Sequence, residues 1–228
     1  MNAPTDSADL TSSGPDGTVA GDAAPPPFAG VISARDGWRR PAHVIFIAGS
    51  AGSLSALQRL FGALSPSIDA AVMITTHLPP THRTLLPSIL ARVTSMPLSV
   101  AGAGEPLERG RVYVAPPGYH HMLVRNGRVQ LRPHPIHARR GVSADPLFVS
   151  AAESLGAAAV GVVLSGANTN GAAGVRAIRA AGGKTLAQSP HDAAFPIMPQ
   201  AALDAGVDYC GSAEDIGRYL SVLCAPRD

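Results

Sequence analysis

The spacing of apolar residues changes repeatedly along the chain, and the changes mark out elements. Val44 to Ala48 is a short continuous apolar run and predicts a strand buried on both faces. Leu54 to Leu64 carries apolar residues at helical spacing, and Ala70 to Thr76 predicts a second strand. Thr84 to Val93 reads as a helix, Pro97 to Ala101 and Val112 to Ala115 as short strands. Met122 to Leu131 predicts a hairpin around Asn126-Gly127, a pair suited to a type I′ turn because both residues tolerate positive φ. Further on, Pro146 to Leu155 predicts a helix and Ala158 to Leu164 a strand. A glycine-rich turn then leads into a helix over Ala172 to Ala181. Lys184 to Ala187 reads as a strand and Glu214 to Leu223 as a closing amphipathic helix. Strands alternating with helices predict an α/β fold: a doubly wound, mostly parallel, Rossmann-like sheet with helices on both faces and a β-hairpin insertion.

Residues 1–40 differ from the rest. Pro, Gly, Ser, Thr, Asp and Ala dominate there, and such a segment buries too little apolar surface to offset its ordering entropy. They are expected to form a disordered low-complexity tail, with one folded domain over 41–228. The total of 228 residues with 46% hydrophobic content suits that division. A formal charge of +2 gives no electrostatic footprint for nucleic acid. No apolar run approaches the roughly 20 residues of a membrane span, and no basic segment precedes an apolar stretch at the N-terminus. A cytoplasmic protein without membrane insertion is expected, with Cys210 and Cys224 as buried free thiols. His120-His121 and the histidines between His134 and His137 lack carboxylate or cysteine partners at ligand spacing, so no metal site is expected.

Three predicted strands end in conspicuous loops: Gly49-Ser50-Ala51-Gly52, His77-Leu78-Pro79-Pro80, and Ser165 to Gly171. In doubly wound sheets the functional crevice lies outside the carboxyl ends of the strands, where all three loops converge. Ser50, on a turn of small residues before a helix, is either a helix cap or an exposed nucleophile. His77, ending the next strand, is the best-placed general base, because neighbouring strands lie only about 5 Å apart. Backbone N–H groups after Ser50 are candidates for holding an oxyanion. The loop from Ser165 to Gly174 holds no carboxylate and offers Asn168 and Asn170 to orient the histidine. Asp192, in the loop after the Thr185–Gln188 strand, is either a solvated loop aspartate or a carboxylate for His77; Asp145 is the other candidate, with helix capping as its simpler role. A dinucleotide site is rejected: Gly49 and Gly52 lack the third glycine, and Thr76-His77 supplies no acid for a ribose. No cofactor is expected.

The segments Ile47-Ala48-Gly49-Ser50-Ala51-Gly52, Thr76-His77-Leu78-Pro79-Pro80, Gly110 to Gly118, Ser143-Ala144-Asp145-Pro146-Leu147-Phe148, Gly161 to Gly166, Asn170 to Gly174, Thr185 to Gln188 and Met198-Pro199 resemble, in order and spacing, the catalytic domain of the CheB-type protein-glutamate methylesterases. The resemblance runs from about His43 to Leu223. It implies a serine hydrolase of glutamate methyl esters, with glutamine deamidation as a second activity, in bacterial chemotaxis or a related phosphorelay. Its partners would be the cytoplasmic helices of methyl-accepting chemoreceptors. Ser50 falls on the family's nucleophile and His77 on its base. Asn170 falls where the family has its catalytic Asp. Ala48-Gly49 replaces the usual Gly-Ala, Ser53 the second of two glycines, and Ala167-Asn168 the usual Met-Gly. These departures predict weakened hydrolysis, or alternatively a catalytically impaired module that binds receptor or signalling helices. The family's phosphoacceptor receiver domain has no counterpart in the 40 leading residues, so control by phosphorylation in cis is not expected.

Overall fold

The sheet is built outward from its most apolar strand. In the computed structural model, which describes residues 40–76, 84–117, 120–133 and 143–226, β1 (His43–Gly49) is buried from Val44 to Gly49. It pairs in parallel with β2 (Ala70–Thr76) on one side and β7 (Ala159–Val163) on the other. β4 (Val112–Val114) and β3 (Leu98–Val100) extend the sheet beyond β2; β8 (Lys184–Gln188) and β9 (Tyr209–Gly211) extend it beyond β7. The strand order is β3-β4-β2-β1-β7-β8-β9, and every pairing in it is parallel rather than mostly so.

Alternation along the strands sends side chains to two apolar layers. Ile45 and Ile47 face α1 (Ser53–Ala63), α2 (Leu86–Leu90) and α6 (Ala213–Leu223), with Leu57, Leu60, Leu90 and Leu220 filling that layer. Val44, Phe46 and Ala48 face α3 (Asp145–Leu155), α4 (Ala172–Ala180) and α5 (Ile197–Asp204), meeting Phe148, Ile178 and Met198. Each fully buried large side chain contributes about 1.5–3 kcal/mol, so both layers are needed to stabilise a sheet apolar on two faces. The predicted hairpin forms as β5 (His120–Arg125) and β6 (Arg128–Pro133) around Asn126 at φ 51° and Gly127 at φ 68°. Its Met122, Val124 and Val129 join the layer that holds α3.

Four elements differ from expectation. The helix predicted over Thr84 to Val93 contracts to Leu86–Leu90, because Thr84 Oγ1 accepts the Leu86 N–H and ends the helix on its near side. α5 was not expected; it starts behind Pro196 and tolerates Pro199 because first-turn N–H groups need no helical partner. β9 is a three-residue edge strand too short to signal itself, and it exposes Cys210, which was expected to be buried. α6 starts one residue early, at a capping box between Ser212 and Asp215. The predicted tail up to residue 39, the loop 77–83 and residues 134–142, with their histidines and arginines, lie outside the described residues.

Candidate active site

The strand order reverses at β1: β2, β4 and β3 run out to one side, β7, β8 and β9 to the other. Crevices open at the carboxyl ends of strands at such a reversal. There the loop after β1 meets the loop after β7. The Ser50 N–H donates to Ser165 O at 2.9 Å. A Cβ on Gly166 would lie 3.0 Å from Ser50 Cβ and overlap Met198, so a glycine is what lets the two loops and α5 close on one another.

Ser50 does not cap α1. The cap position is Gly52, in the left-handed region at φ 74°, and no side chain caps the helix. Ser50 O accepts from the Ser53 N–H at 3.1 Å and from Ser53 Oγ at 2.6 Å. The half-buried Ser50 hydroxyl has no partner among the described residues, and neither have the N–H groups of Ala51 and Gly52. A small-residue turn therefore presents one hydroxyl and two adjacent backbone donors at the head of the crevice.

His77 follows Thr76, which is registered opposite Gly49, and lies outside the described residues. Asn170 is half-buried in the loop between β7 and α4, the loop whose other end touches Ser50. Its N–H donates to Asn168 Oδ1 at 2.9 Å, and its Oδ1 lies 3.4 Å from Ser143 Oγ. Ser143 Oγ is closer to Asp145 Oδ2, at 3.0 Å.

Neither carboxylate considered beside Asn170 is free to replace it. Asp145 Oδ1 accepts the N–H groups of Gly171 at 3.1 Å and Gly174 at 2.9 Å, so it caps α4 from the first turn of α3 rather than its own helix. Asp192 is held in a bidentate pair with Arg59 at 2.8 and 2.7 Å, and also accepts from Gln188 Nε2 at 2.8 Å and the Ala213 N–H at 3.1 Å. The Arg59 hydrogen bonds are the main reason its carboxyl is lowered from 3.8 to about 2.

That shift sets a pH dependence. The folded value lies below the unfolded one, so the stabilisation is complete above about pH 4 and is lost as pH falls through about 2. The full shift corresponds to about 2.4 kcal/mol, reduced to about 1 kcal/mol by solvent access to the pair. Asp192→Asn is expected to cost about 1 kcal/mol at neutral pH in urea unfolding, with the difference from the parent closing between about pH 4 and pH 2.

Sequence reasoning missed what holds the turn. Gln188, buried at the end of β8, accepts the Ser165 N–H at 2.9 Å and donates to Asp192. Ser165, fully buried, donates through Oγ to Ala51 O at 2.7 Å and accepts the Phe195 N–H at 3.0 Å. The available signal was a polar side chain closing an apolar run, at both Leu164-Ser165 and Ala187-Gln188. Among the described residues no group of three His, Cys, Asp or Glu side chains is placed to hold a metal, and no helix is long and apolar enough to cross a membrane.

The chain is similar to proteins named as protein-glutamate methylesterases. A protein-glutamate methylesterase/protein-glutamine glutaminase of the group 2 operon of Bradyrhizobium diazoefficiens is 38% identical over 198 residues, covering 83% of this chain and 50% of that protein. Protein-glutamate methylesterase/protein-glutamine glutaminase 6 of Anaeromyxobacter dehalogenans is 39% identical over 174 residues, covering 73% and 49%. The chain thus spans about half the length of these curated relatives. The crystal structure of the Thermotoga maritima CheB methylesterase catalytic domain superposes with a TM-score of 0.73 at 25% identity, covering 79% of this chain and 98% of that one. The family model described as CheB methylesterase matches residues 45–220, and with it the fold, the strand reversal and the serine turn find one assignment: the chain belongs to the CheB methylesterase family.

Proposed function

We propose that residues 41–228 form a methylesterase domain that hydrolyses γ-glutamyl methyl esters, and deamidates glutamines, on the cytoplasmic helices of chemoreceptors, and that it does so in the cytoplasm. Ser50 Oγ attacks the ester carbonyl while His77 takes its proton. The N–H groups of Ala51 and Gly52 hold the oxyanion. The C–O bond then breaks, and His77 returns the proton to methanol. Water, deprotonated by His77, releases the glutamate from Ser50. Asn170 orients the imidazole but brings no charge to stabilise the imidazolium. The observation that carries the reading is the Ser50 turn itself: a hydroxyl not used for capping, beside two unengaged backbone donors at the strand reversal. Phe195 and Ile197, large apolar side chains 44% and 50% exposed beside this crevice, suit a receptor helix.

Asn170 favours a second reading, a module that docks on receptor helices without useful turnover. A fluorophosphonate probe separates the two. Under the enzyme reading it phosphonylates Ser50, found by peptide mass spectrometry, and His77→Ala abolishes the adduct. A folded parent chain that stays unlabelled is the result expected of the module.

A further inference from the structure

We infer that Ser53 and Ser165 are positioning residues: their hydroxyls lock the two peptide planes that follow Ser50, and so aim the N–H groups of Ala51 and Gly52 as oxyanion donors. The inference rests on Ser50 being the nucleophile proposed above. In a trans peptide the N–H points opposite the preceding carbonyl, so a carbonyl held in place fixes the direction of the next N–H. No cis bond occurs among the described residues. The Ser50 carbonyl is held by Ser53 Oγ at 2.6 Å and by the Ser53 N–H, which sets the Ala51 N–H. The Ala51 carbonyl is held by Ser165 Oγ at 2.7 Å, which sets the Gly52 N–H. Because Ser165 Oγ accepts the Phe195 N–H at 3.0 Å, its single proton is directed to Ala51 O. Its own backbone is anchored by Gln188 Oε1.

Two glycines admit the hydroxyls. A Cβ on Gly49 would lie 2.5 Å from Ser53 Cβ, and one on Gly52 would lie 2.7 Å from Ser165 Oγ. The first contact ties Gly49 to Ser53. The methyl group absent at 49 is the space that Ser53 fills. The Ser53 side chain adds a hydroxyl clamp that a glycine at 53 would not provide.

The test compares Ser53→Ala, Ser165→Val and Ser165→Thr with the parent. It measures the rate constant for Ser50 phosphonylation at saturating fluorophosphonate, the half-saturating concentration, and the thermal midpoint. Thr and Val have the same shape and differ by the hydroxyl alone. Ser165→Val and Ser53→Ala are expected to slow phosphonylation about 10-fold, with the half-saturating concentration within about twofold of the parent. Ser165→Thr is expected to recover most of that loss. A merely structural role changes the midpoint but not the rate per folded molecule. Parent-like rates in folded Ser53→Ala and Ser165→Val overturn the inference while leaving the nucleophile intact. If Ser165→Val does not fold, Ser53→Ala decides alone. An unreactive parent chain removes the nucleophile reading and this role with it.

Discussion

Asn170→Asp is expected to raise turnover of a methylated receptor fragment by about 10²- to 10⁴-fold, because the reverse exchange in a serine protease triad costs about 10⁴-fold. An amide accepts a hydrogen bond from the histidine but brings no negative charge to the imidazolium formed when the serine proton moves. It also carries an N–H₂ group that favours the wrong tautomer if it faces the ring. The local frame suits a carboxylate. Residue 170 immediately precedes Gly171, the cap of the nine-residue helix α4, where helix N–H groups favour negative charge. One feature opposes it. Asp145 Oδ2 lies 3.0 Å from Ser143 Oγ, which lies 3.4 Å from Asn170 Oδ1, so the new charge would sit one hydroxyl away from an existing one. Asp145 is itself compensated by the Gly171 and Gly174 N–H groups, which limits the repulsion. The gain is therefore expected nearer 10²-fold, with KM little changed under the proposed role, in which the side chain orients the base and does not bind the ester. Methanol release at saturating substrate measures it. An unchanged kcat would mean that Asn170 is not what limits the chemistry.

Most of this frame was legible in the sequence for reasons specific to particular stretches. Val44 to Ala48 declared a central strand because the apolar run is short, rich in β-branched residues and closed by Gly49, which suits a strand covered on both faces. Asn126-Gly127 declared its turn because few other residue pairs accept two positive φ values in succession. The serine turn was legible because small residues between a buried strand and a helix have few other uses. What stayed hidden depends on partners far away in sequence. Asp145 looked like a cap for α3, and it caps α4, 26 and 29 residues further on. Asp192 looked available to a histidine, and Arg59, 133 residues away, holds it. Ser165 and Gln188 each bridge two partners through hydrogen bonds that have no periodicity, so no pattern marks them. α5 was hidden by its own prolines, which read as breakers although Pro199 falls within a first turn.

Phe148→Ala is expected to destabilise the domain by about 3–5 kcal/mol and to lower the thermal midpoint by about 10 °C. Phe148 is fully buried on α3, and its ring reaches both the sheet and the neighbouring helix. A Cβ on Gly161 of β7 would lie 3.2 Å from Phe148 Cε2, and a Cβ on Gly174 of α4 would overlap the Phe148 side chain. The two glycines are thus the walls of the slot that the ring fills. Neither glycine wall has a side chain of its own to fill the space, and only Ile178 Cδ1 also reaches the Gly161 wall, so removing the ring is expected to leave a cavity that closes only in part, the condition under which such truncations cost most. Phe148→Leu, which refills part of the slot, is expected to cost less than half as much. The effect reaches the candidate site through α4. Gly174 donates to Asp145 while packing on Phe148, so the contact that seats α4 against α3 also seats the Asn170 loop between them. Ester hydrolysis per folded molecule should therefore fall in Phe148→Ala, whereas a midpoint shift below about 3 °C would mean that the slot relaxes and that the two glycines are not its rigid walls.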